Sequence, residues 1–146
     1  MQGIYLKKVV QRLPTPTDSP FGVLKGNKRE LQILGVGEST MAGVGISKHS
    51  ETLTGLTSLR LNQSMDFQVN WKVLAQNGLT INNLNLLLVE ETFLDADLIL
   101  VSIGGNDVFN LTAPWVWESN LIRCIKILVR DGRKPLILFS PIPCVG

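Results

Sequence analysis

Short apolar runs alternate along the chain with segments whose apolar residues recur at helical spacing. Leu31-Gln32-Ile33-Leu34-Gly35-Val36-Gly37 is a compact apolar run closed by glycine, the pattern of a buried strand. Ser47 or Ser50 can cap a helix running to about Asn62, with Leu53, Leu56 and Leu59 spaced for a packed face. Phe67-Gln68-Val69-Asn70-Trp71-Lys72-Val73-Leu74 alternates and predicts a second strand. Thr80 is placed to cap a second helix carrying Ile81, Leu84, Leu87 and Leu88. Asp97-Leu98-Ile99-Leu100-Val101-Ser102-Ile103 is almost continuously apolar, as a strand covered on both faces should be.

Pro114 suits a first helical turn after Thr112. Leu121, Ile122, Ile125, Leu128 and Val129 then keep helical spacing, and Gly132 ends that helix. Leu136-Ile137-Leu138-Phe139-Ser140 predicts a fourth strand. Strands alternating with helices imply parallel βαβ units. Ligands in such sheets bind beyond the carboxyl ends of the strands.

Two regions follow. Residues 1–30 read as a basic N-terminal arm followed by a loop or linker, because Pro14, Pro16 and Pro20 accompany Asp18, Ser19 and Gly22. Residues 31–146 read as one α/β domain. The full length of 146 residues suits a single domain able to bury a core.

A hydrophobic fraction of 45%, a charged fraction of 18% and a mean hydropathy of +0.21 argue against a disordered chain. No apolar run reaches the roughly 18–20 residues that span a bilayer. A net charge of +2 gives no case for nucleic acid as a partner. The charge is uneven, with +4 in residues 1–30 and −2 in the remainder. The mixed stretch from Ile4 to Leu13, with Lys7, Lys8 and Arg12, could touch an anionic membrane surface weakly. A short arm packed on its own domain is the favoured reading. No secretory signal layout is seen, so a cytoplasmic location, at most peripheral to a membrane, is expected. Asn62-Gln63-Ser64 and Asn110-Leu111-Thr112 match a glycosylation pattern that means little without a secretory route. Cys124 and Cys144 have no metal-ligand spacing and read as two reduced, partly buried thiols.

Three strand ends carry polar or glycine clusters. After the first comes Gly37-Glu38-Ser39-Thr40-Met41-Ala42-Gly43. A serine just past a buried strand puts its hydroxyl at the sheet edge and leaves its own N–H free, which suits a nucleophile that helps hold an oxyanion. Other glycine motifs fit worse. There is no G-x-S-x-G, Thr40 stands where a dinucleotide fingerprint needs glycine or alanine, and no Gly-Lys-Ser/Thr supports a phosphate loop. After the second strand comes Asn77-Gly78-Leu79-Thr80. After the third comes Gly104-Gly105-Asn106-Asp107, where Asn106 is a neutral donor and Asp107 can cap or orient the loop. Each cluster alone reads as an ordinary turn.

Taken together, Gly-Glu-Ser-x-x-x-Gly, Gly-x-Thr and Gly-x-Asn-Asp resemble the SGNH/GDSL hydrolase family, over about residues 31–143. Glu38 stands where the family usually has aspartate. The resemblance implies a three-layer αβα sandwich around a parallel sheet, flavodoxin-like, with an esterase or lipase-like activity on small-molecule esters and no metal or organic cofactor. It implies Ser39 as nucleophile. It implies an oxyanion hole made by the amides of Ser39 and Gly78 with the Asn106 side chain, supported by Gly37, Glu38, Gly104 and Asp107.

The family's fourth block, Asp-x-x-His, is not found in this sequence. Its histidine is the general base of these enzymes. The sole histidine, His49, lies ten residues past Ser39 with no carboxylate placed beside it by the pattern, and reads as a surface or capping residue. The chain stops just after the fourth strand, so the expectation is a form truncated at its C-terminal part and impaired by the missing base. A serine without a base is a poor nucleophile near neutral pH. The alternatives are a non-catalytic module binding an acyl or carbohydrate group in the same pocket, and a membrane-surface protein using the basic arm.

Overall fold

The structure, a computed structural model, describes residues 13–91, 95–130, 132 and 134–140. Most of the basic arm and Cys144 lie outside the described residues. Five strands form one sheet: β1 (Phe21–Leu24), β2 (Glu30–Gly37), β3 (Gln68–Ala75), β4 (Leu98–Ser102) and β5 (Leu136–Phe139). Their order is β1-β3-β2-β4-β5. Pairings among β2, β3, β4 and β5 are parallel, as the βαβ alternation predicts. The helices are α1 (Leu53–Met65), α2 (Ile81–Glu90), α3 (Gly105–Phe109) and α4 (Pro114–Leu128), with a 3₁₀ turn at His49–Glu51 ahead of α1.

Successive side chains of a strand face opposite ways, and here that divides the core in two. Ile33, Val69, Trp71, Val73, Leu98 and Leu100 form one buried cluster with Met41. Helix α1 packs against β2 and β3. Leu34, Val36, Ile99 and Val101 face the other way, against Ile81, Leu84 and Leu88 of α2 and Cys124 and Leu128 of α4. Helices on both faces of the sheet make the three-layer αβα sandwich.

Three local expectations need correction. Residues 14–30 were expected to be a loop or linker, yet they contain β1, which pairs antiparallel with β3, Phe21 opposite Lys72 and Leu24 opposite Val69. The sheet is therefore mixed at that edge. Helix α1 is capped by Thr52, not by Ser47 or Ser50, and its hydroxyl accepts the Gly55 N–H at 3.4 Å. Its buried face is Thr54, Gly55 and Ser58, whereas Leu53 and Leu56 are exposed. Close approach explains the exchange: a side chain on Gly35 would sit 2.0 Å from Thr54 Oγ1, so only small residues fit between helix and strand. In α4, Ile122 and Ile125 are exposed, and Trp117, Leu121, Cys124 and Leu128 form the packed stripe. Burial pushes the Cys124 thiol up to about 12, so it stays a protonated core group.

Candidate active site

Strand β2 delivers Ser39 to the carboxyl edge of the sheet. It ends at Gly37, where φ is +149° and a Cβ would lie 1.9 Å from the Ser102 carbonyl oxygen. No other residue fits that contact without moving β4. Glu38 N–H then donates to the same Ser102 oxygen at 2.9 Å, fixing the exit of β2 against the end of β4. The Ser39 carbonyl accepts Val44 N–H at 3.0 Å, which closes the loop after the serine. Neither the Ser39 hydroxyl nor its N–H is used in a hydrogen bond among the described residues.

Strand β3 ends beside β2, with Gln76 N–H donating to the Gly37 carbonyl at 3.2 Å. Gly78 follows in an exposed turn at φ +86°. Its N–H likewise has no acceptor among the described residues. Thr80 caps α2 as expected, its hydroxyl accepting Asn83 N–H at 3.4 Å.

The third loop joins the other two. Gly104 takes φ +125° and opens the short helix α3. The Glu38 carboxylate is buried and accepts Gly105 N–H at 2.7 Å and Asn106 N–H at 3.1 Å. It also accepts from the Asn106 side-chain amide. That amide donates in addition to the Leu79 carbonyl at 3.1 Å. Asp107 is 3% exposed and accepts Ile81 N–H at 2.9 Å and the Thr112 hydroxyl at 3.2 Å. Glu38, Asn106 and Asp107 thus strap the ends of β2, β3 and β4 into one cluster.

His49 departs from its expected role. It is buried, and its Nδ1 lies 2.8 Å from Asp18 Oδ1 while its backbone N–H donates to the same carboxylate at 3.0 and 3.2 Å. The backbone N–H of His49, followed by its side chain, holds the Asp18 carboxyl below its ordinary range, against the opposing cost of desolvation. An ionised Asp18 places the ring proton on Nδ1. The pair resembles the base half of a catalytic triad, but no hydrogen bond joins His49 to Ser39. Sequence spacing gave no sign of Asp18, which lies 31 residues away.

Among the described residues no cluster of His, Cys, Asp and Glu could hold a metal ion, and no helix is long and apolar enough to cross a membrane.

No protein-family sequence model matches the chain, and no curated protein matches it. Solved structures do. The lipase Lip_vut3 from a goat rumen metagenome superposes with a TM-score of 0.61 at 18% identity, over 75% of this chain and 62% of that one. AlinE4, an SGNH-hydrolase family esterase, gives 0.60 at 24% identity, over 80% and 60%. TesA gives 0.59 at 27% identity, over 77% and 62%. The chain shares its α/β architecture with these structures, among them the SGNH-hydrolase family esterase AlinE4. This chain spans about three-fifths of the length of those relatives.

Proposed function

We propose that this chain carries the nucleophile half of an SGNH-type serine hydrolase acting on small-molecule esters. The supporting observation is a serine with an unused hydroxyl and an unused N–H at the end of a buried parallel strand, in a fold shared with esterases and lipases. In the reaction, Ser39 Oγ attacks the ester carbonyl carbon and the carbonyl π electrons move onto oxygen. The Ser39 and Gly78 N–H groups, with Asn106, receive that oxyanion; one such donor is worth about 10²–10³ in rate elsewhere. The intermediate collapses, the alcohol leaves with the proton, and water later releases the acyl group.

The proton needs an acceptor. His49 is bonded through Nδ1 to Asp18, and among the described residues no hydrogen bond joins Ser39 to a base. A fluorophosphonate probe on the purified chain tests the reading. Covalent labelling that disappears in Ser39→Ala supports it, and no labelling above that variant overturns it.

A second reading draws on the engaged Asn106 amide and on the absence, among the described residues, of a hydrogen bond from Ser39 to a base. These favour a non-catalytic module that binds an acyl or carbohydrate group in the same pocket, through the Ser39 and Gly78 N–H groups. Ester turnover equal to the blank, with saturable ligand binding, would select it.

A further inference from the structure

Glu38 stands one methylene longer than the aspartate of the motif it resembles, and the structure gives that extra length a use. Its carboxylate passes the two backbone N–H groups of Gly105 and Asn106 and reaches the Asn106 side-chain amide. The other hydrogen of that amide goes to the Leu79 carbonyl at 3.1 Å. An amide nitrogen has only two hydrogens. Both are spent inside the protein, so the Asn106 side chain has no N–H left for a ligand, whereas the Ser39 and Gly78 main-chain N–H groups have no acceptor among the described residues.

We propose that Glu38 is a positioning residue that sequesters the Asn106 amide, so that the resting site offers two main-chain donors and gains a third only when Asn106 is released from Glu38. The consequence for rate rests on the hydrolase reading above; the hold itself does not. The Glu38 backbone is fixed by its N–H bond to Ser102, so carboxylate reach depends on side-chain length. Shortening to aspartate withdraws the carboxylate by about 1.5 Å, one carbon–carbon bond. That takes at least one of its contacts beyond hydrogen-bond range. Glutamine keeps the length but turns half of the carboxylate into a donor, which faces either the Gly105 N–H or the Asn106 amide unfavourably.

The test reads the amide directly. In the full ¹⁵N-labelled chain, the Asn106 side-chain NH₂ signal is assigned by its loss in Asn106→Ala. Hydrogen exchange at that group is expected to be slower than at the exposed Asn110 side chain, and about tenfold faster in Glu38→Asp or Glu38→Gln than in the native chain. Thermal melts identify which variants keep the fold. Exchange at Asn106 as fast as at Asn110 in the native chain overturns the proposal, as does exchange unchanged in both folded variants. Fluorophosphonate labelling of Ser39 separates the two readings. Labelling about tenfold faster in Glu38→Asp supports the hold and the donor role together. Faster exchange with unchanged labelling supports the hold and removes Asn106 from the oxyanion hole. Faster exchange with no Ser39-dependent labelling in any form supports the hold and removes the hydrolase reading.

Discussion

The buried carboxylate of Asp107 accepts the first N–H of helix α2, that of Ile81, at 2.9 Å. One residue past Asn106, it therefore ties the segment that carries Gly78 to the loop after β4. It also places a negative charge at a helix N-terminus, where the helix dipole favours it. Asp107→Ala leaves that N–H buried without an acceptor and should destabilise the chain by about 1–3 kcal/mol in urea denaturation. Asp107→Asn keeps an acceptor oxygen and should recover most of the loss. Equal midpoints for the alanine and native chains would show that the bond carries no weight.

The Asp18–His49 pair ties the segment before β1 to the turn before α1. The folded Asp18 carboxyl titrates below its ordinary value of 3.8, chiefly through the His49 backbone N–H. The folded chain thus holds that proton more weakly than the unfolded chain. Stability from the pair is full above about pH 4 and is lost as pH falls through the lower folded value. Asp18→Ala should melt below the native chain at pH 7, and the gap should narrow on acidification below about pH 4. A gap constant from pH 7 to 3 would contradict the assignment.

These two carboxylates mark where the sequence could and could not be read. Strands β2 and β4 were legible because burial on both faces demands unbroken apolar runs. The three loops were legible because parallel strands deliver their polar clusters to one edge. Strand β1 was not, since Phe21 and Val23 remain exposed on an edge strand and leave no burial pattern between the prolines. The buried face of α1 departs from its leucine spacing because the approach to Gly35 favours Thr54, Gly55 and Ser58. Asp18 beside His49 and Glu38 beside Asn106 are long-range pairs, 31 and 68 residues apart, that no local spacing encodes.

The contact between α1 and β2 yields a packing prediction. A methyl group on Gly35 would lie 2.0 Å from Thr54 Oγ1 and 2.8 Å from Met41 Sδ. Gly35→Ala should cost at least about 1–3 kcal/mol, the usual range for overpacking a core. Thr54→Ala alone also destabilises, because it removes the hydroxyl bonded to Met41 Sδ at 3.2 Å. Combined with Gly35→Ala it makes room for the new methyl, so the double variant should be more stable than the sum of the singles implies. Strict additivity in denaturant midpoints would show that Thr54 is not the obstacle.

Among the described residues no hydrogen bond joins Ser39 to a base, and this gives the most direct chemical prediction. A serine hydroxyl reacts slowly unless its proton is removed as it attacks, and a placed base typically contributes about 10²–10⁴ in rate. Added imidazole can take that part at Ser39, which is half-buried and whose hydroxyl is unbonded among the described residues. Phosphonylation of Ser39, followed by intact mass, should therefore accelerate in proportion to imidazole concentration at fixed pH. The acceleration should climb between about pH 6 and 8, as imidazole loses its proton and becomes able to accept one. Ser39→Ala should show no adduct at any concentration. Labelling that is fast without imidazole and indifferent to it would mean that a base already serves Ser39.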